Sequence, residues 1–158
     1  MRLVWFLGGA SLILFAVLAG YLAPLEPGIL HLQFAFTPRA FGTVIHLWSA
    51  DDLARYRAHF PGDFLLLACY AAFGHRFARH SGLFARRAPA ACAAAAWLLP
   101  AAALCDAVEN AFHLWLTAAP RFDAAPAYAL SALAAAAKWA LLIAFAAAVL
   151  HALAKRNA

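Results

Sequence analysis

CDAVENAFHLW, residues 105–115, sets Asp106, Glu109, Asn110 and His113 into a run that is otherwise alanine, leucine and aromatic. On a helix those four positions are spaced i, i+3, i+4 and i+7 and share one face. Whether that face meets water, lipid or protein decides what the chain is. The composition answers first. Of 158 residues, 67% are hydrophobic and 12% charged, with a mean hydropathy of +0.78. Soluble domains carry about 25% charged residues. The chain therefore reads as an all-α integral membrane protein, and an unpaired carboxylate in such a helix costs several kcal/mol. The polar face must point into protein.

Working outward, a hydrocarbon core about 30 Å thick needs about 20 apolar residues per helical crossing. The chain holds four such crossings in a single domain, residues 1–158: about 3–23, 60–79, 89–118 and 125–154. The first ends at Pro24 and Pro27, which cannot continue a helix. Its uncharged run is longer than the apolar region of a typical signal peptide, so it reads as a span although Val17 and Ala19 would serve as a cleavage site. The second is the least apolar, with Asp63 near one membrane face and His75 and Arg76 near the other. The third contains Pro100, where a kink is expected. The fourth carries one intramembrane charge, Lys138. Alanine runs at 93–96 and 134–137 allow close backbone approach, which drives helix association in lipid. The fold expected is a four-helix transmembrane bundle with an amphipathic helical external loop between spans one and two.

That loop has its own signals. GILHLQFAFTP alternates Leu30, Leu32, Phe34 and Phe36 with His31 and Gln33, the period of an extended segment. Thr37 and Pro38 mark a helix start. Phe41, Val44, Ile45 and Trp48 then recur at helical spacing, and Ser49 with Asp52 forms a capping-box-like restart. Arg55, Tyr56 and Arg57 read as a solvated face, or as a basic patch for a lipid phosphate. Trp48, Trp115 and Tyr128 read as an interfacial aromatic belt.

The excess of five positive charges lies in short clusters, Arg76, Arg79, Arg86 and Arg87, then Lys155 and Arg156. There is no basic groove, which excludes nucleic acid as a partner; the clusters are topology signals that put both termini on the cytoplasmic side. An alanine- and arginine-rich composition suggests a bacterial inner (cytoplasmic) membrane. Cys69, Cys92 and Cys105 form no C-x-x-C pair and read as apolar fillers. No phosphate-binding glycine loop, serine nucleophile elbow, H-E-x-x-H helix or useful internal repeat is present. No metal site is expected, and the composition names no cofactor.

The polar face remains. Counted at 1.5 Å per residue from Ala118, Asp106 lies about 18 Å deep, Glu109 about 14 Å and His113 about 8 Å. Lys138, counted from Ala125, lies at about 20 Å. Equal depth pairs Asp106 with Lys138, and Asp63 falls near His113. Glu109, with Asn110 beside it, is then the carboxyl left to exchange protons. The leading expectation is an outward-opening pocket for a small amphiphile (a lipid, isoprenoid or quinone-like molecule). Glu109, His113 and Asp106 are its candidate acid-base residues, and Asn110, Lys138, Asp63, Tyr70 and Trp48 its candidate ligand contacts. Two alternatives stand beside it. One is a non-catalytic subunit or assembly factor whose polar cluster locks helices together and whose loop meets a partner protein. The other is a haem held by His113 with His46 or His59, or by His75 with His151.

LHLQFAFTP, the following RYRAHFPGDFLLLACY, and DAVEN resemble a group of small bacterial four-span membrane proteins with an L-x-L-Q-F-x-(F/Y)-T-P segment and a late D-x-x-E-N motif. The resemblance implies the same topology and no particular reaction. It draws attention to Leu30, Leu32, Gln33, Phe34, Thr37, Pro38, Asp106, Glu109 and Asn110. The topology is also similar to small four-helix sterol isomerase and sigma-2-receptor-like bundles, whose motifs do not match this chain residue by residue.

Overall fold

The structure is a computed structural model describing residues 1–84, 89–119 and 121–155. Arg86, Arg87 and Arg156, read above as topology signals, lie outside the described residues. Among the described residues there are seven helices and no strand: α1 Arg2–Leu22, α2 Ile29–Gln33, α3 Pro38–Leu47, α4 Ala50–Ala58, α5 Phe60–His80, α6 Pro89–Leu116 and α7 Ala125–Ala154. Three of them, α1, α6 and α7, are long and apolar enough to cross a membrane. α5 has 21 residues, enough length, but Asp63, His75, Arg76 and Arg79 reduce its apolar character.

The long helices pack side by side, α5 against both α1 and α6, and α6 against α7. Glycines make the approaches close. A Cβ built on Gly74 of α5 would lie 2.5 Å from the Leu99 Cβ of α6. Gly8 of α1 faces the Phe73 ring, and Gly62 of α5 faces Leu18. These two contacts run α1 antiparallel to α5. Phe77 of α5 meets Phe145 of α7, ring centroids 6.3 Å apart, so the N-terminus of α1 and the C-terminus of α7 share one end. Arg76, Arg79 and Lys155 belong to that end. α6 stays helical through Pro100, whose missing N–H leaves the Ala96 carbonyl without its usual donor.

The short helices close the other end. Thr37 Oγ1 accepts from the Ala40 amide at 3.2 Å with Pro38 in the first helical position, as the residue types require. Ser49 and Asp52 form a full capping box on α4. Phe41, Val44, Trp48 and Tyr56 turn inward and join Leu22, Leu25, Leu32, Phe60, Leu116 and Tyr128 in one apolar cluster. The expected extended segment is instead the five-residue helix α2. Its alternation does not describe one greasy side, because Leu32 and Ala35 are buried while Leu30, Phe34 and Phe36 are exposed. A three-residue spacing into the cluster outweighs a two-residue one.

Candidate functional site

The face carrying Asp106, Glu109, Asn110 and His113 points into protein, and all four residues are buried. Asp106 and Lys138 pair as their depths require, Nζ to Oδ1 at 2.9 Å. Lys138 also reaches Glu109, Nζ to Oε2 at 2.6 Å. The expectation that Glu109 stands apart is therefore corrected. Asp106 and Glu109 are one turn apart on one face, and a four-carbon stem places a single ammonium between them. Tyr70 of α5 donates its hydroxyl to Asp106 Oδ2 at 3.3 Å.

The second expected pair is also corrected. Asp63 Oδ2 accepts from Asn110 Nδ2 at 2.5 Å, not from His113. His113 Nδ1 instead meets the Tyr56 hydroxyl at 2.5 Å, with Glu109 Oε1 4.0 Å away. Asp63 lies one helical turn lower than the depth count placed it, and α4 fills the level above. The site thus takes side chains from four elements: Tyr56 from α4, Asp63 and Tyr70 from α5, the polar face of α6, and Lys138 from α7. Trp48 is one shell further out. Its ring packs on Tyr56, centroids 5.0 Å apart, and its Nε1 donates to the Pro27 carbonyl at 2.9 Å.

Tyr56 is the residue the sequence reading missed. The Arg55–Tyr56–Arg57 stretch is no solvated face. Tyr56 is 2% exposed. Arg57 Nη1 donates to the Leu114 carbonyl at 2.9 Å and to Thr117 Oγ1 at 2.6 Å, satisfying groups at the C-terminal end of α6. Arg55 lies over the Tyr21 ring at 5.9 Å. The signal was available, since Leu53, Tyr56 and Phe60 follow an i, i+3, i+7 apolar spacing. Burial first, then the charges of Glu109 and Asp63, push the Tyr56 hydroxyl well above its usual range, which keeps it a hydrogen-bond donor. Beside it, His59 bonds the Tyr56 carbonyl through Nδ1, and burial pulls that imidazole below its ordinary value.

The aromatic belt is likewise corrected. Trp115 is exposed, with Arg121 4.5 Å from its ring centroid, but Trp48 and Tyr128 are core residues. Gln33 of α2 accepts from Trp139 Nε1 at 3.2 Å, and the Trp139 ring centroid lies 5.7 Å from Lys138 Nζ. Through these two residues α2 touches the charged cluster's neighbour. No family model, curated protein or solved structure matches this chain. What the site does is therefore argued from its own chemistry.

Among the described residues no group of three His, Cys, Asp or Glu side chains is placed to hold a metal ion. Of the haem candidates, His113 is enclosed with its Nδ1 engaged, His75 packs on Trp97 at 5.2 Å, and His46 and His151 are exposed. Cys69, Cys92 and Cys105 are free thiols, half-buried and apart from the cluster's hydrogen bonds. At the far half of the α5–α6 pair, Ala71, Ala72, His75, Arg76, Trp97 and Pro100 line a shallow groove of about 370 Å³.

The cluster's charge arithmetic sets its chemistry. Asp106 and Glu109 share one ammonium, and Asp63 adds a third carboxyl held by an amide. With every carboxyl ionised, the group is net negative in a medium that penalises uncompensated charge. Binding a proton relieves that imbalance. The arrangement can store a proton and return it to a group placed against it.

Proposed function

We propose that the chain is a four-span integral membrane protein in which α1, α5, α6 and α7 cross the bilayer and α2 to α4 cover the outward end. In this reading it holds a small amphiphile, of lipid, isoprenoid or quinone-like chemistry, against an acid-base site made by Glu109, Asp106 and Lys138. His113 relays and Asn110 orients. The supporting observation is the sharing of Lys138 by two buried carboxylates, Nζ 2.9 Å from Asp106 and 2.6 Å from Glu109. A purely structural bridge needs one carboxylate per ammonium. The second makes the cluster's charge depend on a proton.

Arg76, Arg79 and Lys155 at the end shared by both termini support a cytoplasmic placement of that end in a bacterial inner membrane. Half-exposed Asp63 and Tyr70 are the edge from which an amphiphile reaches the cluster. Glu109→Gln tests the reading. It leaves Asp106 and Lys138 as a neutral pair, so the protein stays folded, while amphiphile binding loses its pH dependence. The amphiphile is identified beforehand by mass spectrometry of gently purified protein.

A second reading has its own observation. The network joins α4, α5, α6 and α7 over about two helical turns, as the core of a non-catalytic subunit or assembly factor would. In that case Glu109→Gln changes thermal stability and leaves any binding and its pH profile as they were.

A further inference from the structure

Two buried polar atoms beside the cluster take no part in it. His113 Nε2 and Ser131 Oγ are shielded from solvent and have no hydrogen-bond partner among the described residues; the residues are 1% and 2% exposed. Leaving such groups unpaired is costly, and a native interior that does so has a reason. Ser131 stands out from other helical hydroxyls here. Ser11, Thr43 and Thr117 each donate to the carbonyl four residues back, at 2.7, 2.9 and 2.6 Å. Ser131 does not.

Helix register sets the two residues at one level of the paired helices. Asp106 and Lys138 meet across the antiparallel α6 and α7. His113 is seven residues beyond Asp106, and Ser131 seven residues before Lys138. Seven residues is about two turns, or about 10.5 Å along each helix in the same direction, on the same face. By this count His113 and Ser131 stand level with each other on α6 and α7, two turns outward of the ion pair. The Phe41 ring of α3 covers this point, 5.5 Å from His113 and 5.1 Å from Tyr128, one turn before Ser131.

The chemistry of the point follows from its neighbours. In the tautomer where the Tyr56 hydroxyl is the donor to His113 Nδ1, the imidazole proton sits on Nε2. Nε2–H and the Ser131 hydroxyl are then two donors at one level of the bundle, neither of them with an acceptor among the described residues. An anionic head group is disfavoured, since Asp63, Asp106 and Glu109 outnumber Lys138 below. A neutral carbonyl oxygen, with two lone pairs, fits.

We infer, building on the amphiphile reading above, that His113 Nε2 and Ser131 Oγ form a carbonyl-binding point for a lipophilic ketone or quinone. The carbonyl oxygen accepts both hydrogen bonds and is held one turn from Glu109 and two turns from Asp106.

The test uses the full chain in lipid nanodiscs, with quenching of its tryptophan fluorescence by decylubiquinone. Decylbenzene, which lacks the carbonyls, is the control. Ser131→Ala removes a single oxygen and preserves the helix. The expected result is saturable quinone binding that Ser131→Ala weakens about three- to tenfold, the equivalent of one hydrogen bond. Decylbenzene is indifferent to the substitution. Ligand-free Ser131→Ala protein melts at or above the wild-type temperature, because an orphaned hydroxyl has gone. Unchanged quinone affinity in Ser131→Ala overturns the inference, as does the absence of saturable quinone binding to wild type. A lower melting temperature with unchanged affinity overturns it too, and assigns the point to a bound water. Quinone binding whose pH dependence is lost in Glu109→Gln, but which ignores Ser131→Ala, rejects the carbonyl contact and keeps the acid-base site. Loss in Ser131→Ala with no effect of Glu109→Gln does the reverse.

Discussion

Lys138→Met is the most demanding perturbation of this structure. Methionine keeps the length and flexibility of the stem and deletes the ammonium. The ammonium is 5% exposed and bonded to Asp106 and Glu109, themselves 11% and 1% exposed. Removing one partner of a buried ion pair destabilises by about 3–5 kcal/mol, because the remaining charge is left uncompensated. Here two carboxylates lose their partner, and proton uptake by them limits the loss to that same range. Glu109→Gln is the internal control. It leaves a one-to-one pair and exchanges a charged hydrogen bond for a neutral one, a difference of about 1 kcal/mol. The triple variant Lys138→Met, Asp106→Asn, Glu109→Gln removes the ammonium together with both carboxylates it serves, leaving Asp63 on its amide, and recovers most of the loss, since buried pairs replaced as a unit are often near neutral. Reversible unfolding in mixed detergent micelles measures all three. A Lys138→Met protein as stable as Glu109→Gln, or a triple variant no better than Lys138→Met, would refute the shared-lysine argument.

Three further outcomes follow from other parts of the fold. Gly74→Ala forces its new Cβ against the Leu99 Cβ, built at 2.5 Å, and loses about 1–3 kcal/mol; Leu99→Ala does not rescue it, because the clash includes the Cβ that alanine retains, so rescue in the double variant would disprove the packing of α5 on α6. His59 is held below its ordinary value of 6.5 by burial, so as pH falls through about 6.5 the unfolded chain takes up a proton that the folded chain refuses, and stability drops; the melting temperature of wild type falls more on acidification than that of His59→Gln, and parallel curves would contradict the assignment. Arg57→Met strips two hydrogen bonds from the C-terminal end of α6 and costs about 1.5–3 kcal/mol; it raises amide exchange at Leu114 to Thr117, and unchanged exchange there would show that water serves equally well.

Axial position was legible in the sequence for Asp106 and Lys138 and one turn off for Asp63; azimuth and reach were not legible. Residue counting placed Asp106 level with Lys138 because helical rise is fixed. The same count could not tell that Lys138 serves Glu109 as well, since its stem spans more than the separation of two carboxyls one turn apart. Thr37–Pro38 and Ser49–Asp52 were readable because caps are local chemistry. Tyr56 to His113 and Gln33 to Trp139 were not, since the first joins residues 57 positions apart and the second 106. Both depend on how the short helices fold back over the long ones. Ser131 was hidden for another reason. A hydroxyl in an alanine-rich helix is ordinary until its default carbonyl bond is seen to be missing.

The arrangement of α1 separates two demands that usually fall on the same residues. Only Val4 and Leu22 of this helix are buried, and its packing is on α5. In the proposed membrane-spanning reading, most of its side chains are therefore solvated by acyl tails both before and after it docks. Their greasiness governs entry into the bilayer, while attachment rests on a narrow seam near Gly8, Leu18 and Gly62. Swapping one aliphatic or aromatic residue for another on the outward surface leaves the protein as it was. A single methyl group added at Gly8 meets the edge of the Phe73 ring at 2.9 Å, and that ring must turn for α1 to keep its seat on α5.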